Sequence, residues 1–192
     1  MNNVITKWFH EEGIHFLKNI GIEKGQHLLD FGCGSGYYTI PAAKIVNREG
    51  KVYALDKDWN ALNELIHHAE KEGLQNIVPI PIIDQSEVLD IGLVDESIDV
   101  MLFFDVLHYI DKEERECIYK NAYKLLKKEG WISVFPKHCK SDMPLWNLEN
   151  LELENIVEEI ENENFTFKTK YSGKLIHDED YEKGIILIFT KK

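Results

Sequence analysis

The stretch Asp30-Phe31-Gly32-Cys33-Gly34-Ser35-Gly36 sets a carboxylate and three glycines at alternate positions. Glycine lets a backbone turn sharply and approach a ligand with no Cβ in the way. His27–Phe31 reads as a buried strand and residues 37–46 have helical character. The loop therefore leads into a helix start, whose free amides suit polar or anionic ligand atoms. A second carboxylate, Asp56, ends the next strand-like run, Lys51–Asp56, twenty positions beyond Gly36. At that spacing a carboxylate can accept hydrogen bonds from both hydroxyls of a ribose. The chemistry implied is the binding of a nucleoside-containing cofactor.

Two details bear on which cofactor. The dinucleotide fingerprint is G-x-G-x-x-G, its last glycine permitting close helix–strand packing beneath a pyrophosphate. Here the third glycine comes one position early, and Tyr37 stands where that fingerprint wants glycine. Asp30 at the end of the first strand would repel a pyrophosphate. It could help hold the cationic aminopropyl-carboxyl portion of S-adenosylmethionine (SAM) through water or backbone groups.

On these residues the chain resembles the class I SAM-dependent methyltransferases, particularly the small-molecule branch that includes ubiquinone/menaquinone-biosynthesis-like enzymes. The matching segments are Leu28 to Gly36, Val52 to Asp56, Ile83-Asp84, Ile98-Asp99-Val100 leading to Phe104-Asp105, and Leu125 to Trp131. The resemblance implies that Asp30, Gly32, Cys33, Gly34 and Gly36 form the cofactor loop and that Asp56 binds the ribose hydroxyls. It further implies that Lys57 lies along the adenine, that Asp84 and Gln85 bracket the adenine and its amino group, and that Phe104 and Asp105 face the methionine moiety. The product would be S-adenosylhomocysteine. It also implies a Rossmann-like, doubly wound α/β fold: a seven-stranded, mostly parallel sheet with an antiparallel last strand and helices on both faces.

Methyl transfer from a sulfonium needs little acid–base chemistry, since in-line alignment of nucleophile, methyl and sulfur supplies much of the catalysis. His108, four residues after Phe104, is the candidate general base, with an ordinary pKa suited to proton transfer near neutrality. The alternative is a histidine packed at a helix start. Tyr37 and Tyr38 either line the pocket or divide between sheet and solvent. Trp8, Phe9, His10 and His15 belong to an N-terminal helical stripe, read as packing in preference to a closing flap. His138 and Cys139, with His177-Asp178, lack metal-ligand spacing, so no metal is expected.

The elements that must position these groups alternate between strand and helix, the signature of a parallel sheet covered on both faces. Strands are expected at His27–Phe31, Lys51–Asp56, 77–83, Ile98–Phe104 and 131–135. Pro79 and Pro81 suit a sheet edge. Helices are expected from an N-cap at Asp58 to a stop at Gly73, and over 112–128. Then come a loop at 137–148, a helix within 149–163, and strands at 165–171 and 184–190, whose short polar connection makes them antiparallel. The expected organisation is one domain over 1–192: an N-terminal helical cap (1–20), a cofactor-binding core (25–136) and a C-terminal helix with antiparallel strands (137–192).

The 192 residues are 44% hydrophobic, enough for a core. The net charge of −12 disfavours a nucleic-acid substrate, because an acidic surface repels phosphate backbones. Cys33, Cys117 and Cys139 are odd in number and dispersed, which fits reduced thiols in a cytoplasmic protein. No apolar run reaches membrane-spanning length, and the start lacks the pattern of a signal peptide. The expected partner is a small-molecule methyl acceptor, with a protein methyltransferase or a non-catalytic SAM-binding module as alternatives and an NAD-dependent oxidoreductase as a weaker one. Which acceptor, which atom is methylated, and the oligomeric state are not encoded in any recognisable pattern.

Overall fold

The computed structural model describes residues 3–82, 91–140, 148 and 150–192. Its strands are β1 (His27–Phe31), β2 (Lys51–Asp56), β3 (Ile77–Pro81), β4 (Ile98–Phe104), β5 (Leu126–Phe135), β6 (Phe165–His177) and β7 (Asp180–Lys191). They form one seven-stranded sheet in the order β3-β2-β1-β4-β5-β7-β6. Pairings β1–β2, β2–β3 and β4–β5 are parallel, and β7 runs antiparallel to β5. The helices are α1 (Asn3–Lys7), α2 (Gly13–Asn19), α3 (Thr39–Val46), α4 (Trp59–Lys71), α5 (Lys112–Leu125) and α6 (Leu153–Glu161), with a π-helical turn, Trp8–Glu12, between α1 and α2. This is the Rossmann-like, mostly parallel arrangement that the alternating pattern predicts.

Contacts group the chain into two compact units, Met1–Ile83 with Ser172–Gly184, and Asp84–Tyr171 with Ile185–Lys192. In the first, β1 is buried along Leu28–Phe31, and β3, carrying Pro79 and Pro81, is the sheet edge, where a missing N–H costs no ladder bond. Helix α4 starts at Asp58, whose side chain accepts the Asn60 amide at 2.8 Å, and stops before Gly73, which takes φ +65°. The N-terminal helical run packs through Trp8 and Phe9, both buried, while His10 and His15 are exposed. The Trp8 indole donates to the Tyr37 carbonyl at 2.8 Å and meets the Tyr38 ring edge-on. A Cβ on Gly13 would come within 2.8 Å of that indole.

In the second unit β4 is buried except at Asp99, as a strand covered on both faces should be. Helix α5 is shorter than its apolar spacing predicts: it ends at Leu125, not 128, and β5 begins at Leu126 rather than 131. Leu126 is fully buried and pairs with Ile98, after which the chain makes an irregular excursion before Trp131 pairs with Val100. The demand to bury Leu126 in the sheet overrides the helical preference of Lys127-Lys128-Glu129. Helix α6 falls inside the expected 149–163, while β6 and β7 are longer than predicted, because Asp178 and Glu179 close a two-residue turn with φ +46° and +68°. That positive-φ geometry matches strand twist and lets the hairpin extend.

Among the described residues of this unit, Arg115 and Glu159 form a buried ion pair. Arg115 donates from Nε and Nη2 to the two Glu159 oxygens at 2.7 and 2.8 Å, and from Nη1 to the Ile110 carbonyl at 2.7 Å. Arg115→Ala strands a carboxylate in the interior and should cost about 3–5 kcal/mol by urea denaturation. The double replacement Arg115→Met with Glu159→Leu should recover most of that loss.

Candidate functional site

The glycine loop is fastened to the end of β2. The Leu55 carbonyl accepts the amides of Gly32 and Cys33 at 2.8 and 2.9 Å. Asp56 Oδ2 accepts the Gly34 amide at 2.7 Å, and Oδ1 the Asp58 amide at 2.9 Å. Gly32, Gly34 and Gly36 take φ of +73°, +51° and +90°, the left-handed region that glycine reaches without strain. The glycines serve different ends. A Cβ on Gly34 would meet nothing within 4 Å and so would project into open space, whereas a Cβ on Gly36 would collide with Leu65 of α4. Gly34 leaves its side of the loop clear, and Gly36 lets α4 pack against it.

Asp30 is buried, and one carboxylate oxygen accepts the Thr39 hydroxyl at 2.5 Å. Burial raises its pKa to about 7, the Thr39 hydrogen bond opposes the rise, and the nearby Asp56 charge adds to it. Cys33 is also buried. Its thiol is pushed up by burial and then by the Asp30 and Asp56 charges, which keeps it protonated. Lys57 follows Asp56 on the exposed side. Asp84 and Gln85 lie outside the described residues.

Beyond the loop, Ser35 donates its hydroxyl to Glu64 at 2.6 Å, and His68 Nδ1 lies 3.1 Å from the Ser35 carbonyl. Tyr38 is buried, donating its hydroxyl to the Ile176 carbonyl at 3.0 Å, while Tyr37 is half-buried. Burial, then the Glu179 charge, pushes the Tyr37 pKa up to about 12. Lys174 and Tyr181 of the β6–β7 hairpin meet the N-terminal helices, Lys174 with Glu12 at 3.0 Å and Tyr181 donating to the Val4 carbonyl at 3.4 Å. The Tyr37–Glu179 proximity and these hairpin contacts join residues more than a hundred positions apart, so no local sequence signal announces them.

In the second unit Phe104 is buried at the end of β4, and Asp105, with φ +56°, begins the following turn. The Phe135 carbonyl accepts the amides of both Asp105 and Lys137, tying the ends of β4 and β5 together. His108 lies in a short 3₁₀ turn, Leu107–Tyr109, and is only 1% exposed. Its Nδ1 is 3.8 Å from Asp105 Oδ1, and its ring centroid is 4.5 Å from that of His138, which takes φ +59°. The sequence considers His138 with Cys139, His177 and Asp178. The structure sets it instead beside Asp105 and His108, while His177 pairs with its neighbour Asp178 at 3.4 Å.

Residues 22–184 match the family model of a methyltransferase domain. The probable cobalt-precorrin-6B C(15)-methyltransferase (decarboxylating) of Saccharolobus solfataricus is 45% identical over 65 residues, 33% of each chain. The demethylmenaquinone methyltransferase of Lactobacillus johnsonii is 26% identical over 120 residues, 62% of this chain and 47% of that one. The chain thus spans a third to a half of the length of these curated relatives. A fibrillarin-like rRNA/tRNA 2′-O-methyltransferase of Pyrococcus furiosus aligns at 26% identity over 181 residues, 93% of this chain and 72% of that one. Among solved structures, a SAM-dependent methyltransferase from Aquifex aeolicus superposes with a TM-score of 0.71 at 18% identity, over 95% of this chain and 92% of that one.

Asp30 yields a pH signature with a definite sign. A carboxyl whose folded pKa is raised from 3.8 to about 7 favours the fold when protonated, so its contribution is complete below pH 3.8 and is lost as pH rises through 7. Urea denaturation across pH 4–8 should show Asp30→Asn gaining on the wild type as pH rises, by about 2–4 kcal/mol at most, with the difference level above pH 8. Asp56→Ala, which releases two loop amides, should lower stability by about 1–3 kcal/mol even without ligand.

Proposed function

We propose that this chain, which belongs to the class I SAM-dependent methyltransferases, itself binds SAM at the Asp30–Gly36 loop and transfers the methyl group by in-line displacement to a small-molecule acceptor. The observation that carries the reading is the juxtaposition of Gly34 and Asp56. A backbone with clear space where a side chain would stand lies against a carboxylate with lone pairs left for further donors, and this fits a nucleoside ligand. A pyrophosphate fits poorly beside Asp30 and Asp56, which counts against a dinucleotide.

SAM, when bound, supplies a methyl group already activated on a sulfonium. The residues supply binding and orientation. Asp56 accepts from the ribose hydroxyls, and Lys57 covers the adenine with its aliphatic stem. The Gly32, Cys33, Gly34 and Gly36 backbone forms the floor, Gly36 by admitting α4 beneath it. Asp30 acts through the loop from its buried position. His108 is the candidate general base for an acceptor that must lose a proton. Alignment carries the rest of the rate.

The small-molecule acceptor rests on charge. At −12 the chain's net charge disfavours an RNA backbone, although one relative is named for rRNA and tRNA methylation. The three cysteines are free thiols, in keeping with a cytoplasmic setting, and no described helix is long and apolar enough to cross a membrane.

Calorimetric titration with S-adenosylhomocysteine, and NAD in parallel, tests the cofactor. Micromolar binding of the first alone is expected, weakened at least about tenfold in both Asp56→Ala and Gly34→Val. Preference for NAD, or no binding of either, overturns the reading. A tRNA accepting methyl groups faster than any small molecule in a labelled-SAM screen would overturn the acceptor class.

A further inference from the structure

We propose that Asp105, His108 and His138 form a binding site for one divalent transition-metal ion of the Zn²⁺ type. One ligating atom from each of the three lies within 4.8 Å of the other two. Ligand atoms around a tetrahedral ion with bonds of about 2.0–2.2 Å sit roughly 3.3–3.6 Å apart, so closure asks at most about 1.5 Å of side-chain adjustment. The His108 Nδ1 to Asp105 Oδ1 distance of 3.8 Å is already near that value. Two imidazoles and one carboxylate are borderline donors, suited to Zn²⁺, Co²⁺, Fe²⁺ or Mn²⁺ and not to Mg²⁺ or Ca²⁺, which prefer oxygen alone.

The backbone around the three is arranged at a cost. Asp105 and His138 both hold left-handed φ values, +56° and +59°, just after β4 and β5. Asp and His tolerate that region better than most residues, yet two such residues at the ends of paired strands concentrate strain where functional groups tend to be held. The shared Phe135 carbonyl pins both turns, so the ligands come from a rigid frame. Burial of His108 lowers the local dielectric, while Asp105 and His138 remain partly open to an entering ion. The carboxyl ends of parallel strands are also where ligands bind in sheets of this kind.

Three protein ligands leave a fourth position on the ion. Granting the methyltransferase reading, an acceptor oxygen, nitrogen or sulfur would occupy it, and the ion would lower that atom's pKa. His108 would then be a metal ligand, and an acceptor would lose its proton through the ion's charge instead of to the imidazole. This departs from the expectation of no metal, which considered only local ligand spacing.

The test is Zn²⁺ titration of tag-free protein against a chromophoric chelator, repeated with Co²⁺ to read its visible absorption. Wild type should bind one equivalent with the spectrum of a nitrogen- and oxygen-ligated ion. His138→Ala and Asp105→Asn should each weaken binding at least about tenfold, with circular dichroism unchanged. His177→Ala, a histidine outside the cluster, should leave binding intact. Absence of a stoichiometric site, or binding that survives both His138→Ala and Asp105→Asn, overturns the proposal. S-adenosylhomocysteine titration of the metal-free protein separates the two readings: cofactor binding with no metal site sinks only this one, and a metal site without cofactor binding sinks only the methyltransfer reading.

Discussion

The carboxylate of Asp56 and the carbonyl just before it hold four backbone amides, those of Gly32, Cys33, Gly34 and Asp58. Much of the first unit's arrangement depends on that cluster. A charged acceptor makes the stronger class of hydrogen bond and can draw the loop onto the end of β2 despite the entropy lost by three glycines. The amide of Asp58, once held, leaves its side chain free to cap α4, and α4 in turn brings Leu65 against the space left by Gly36. A loop that looks like flexible punctuation is therefore tied down, with open space beside Gly34.

The same concentration of acidic groups has an electrostatic consequence. Burial raises the pKa of Asp30, and the nearby Asp56 charge adds to the rise. Thr39 partly offsets it with a hydrogen bond at the start of α3.

The second unit handles its charges differently. Arg115 and Glu159 pair in the interior with three hydrogen bonds on the guanidinium, a closed arrangement suited to holding α5 and α6. Asp105, His108 and His138 form a cluster in which two members stay partly open to solvent. One polar group serves cohesion, and the other is positioned at the ends of β4 and β5.

Periodicity and spacing alone determined the parallel order of elements, the strand–loop–helix around Gly32 to Gly36, the edge character of β3 and the N-cap at Asp58, because each follows from interactions within a few residues. Asp56 was legible for the same reason: the length of one helix and one strand sets its distance from the loop. Only the tertiary structure decided the rest. Leu126 leaves its helix because a sheet partner, Ile98, is waiting across the fold. Gly36 turns out to be required by Leu65, a residue twenty-nine positions away. His138 meets Asp105 and His108 because β4 and β5 lie side by side, and metal-ligand spacing along a chain says nothing about neighbours across a sheet. Contacts of that kind depend on strand register and burial, which are set by the packed molecule as a whole and not by any local run of residues.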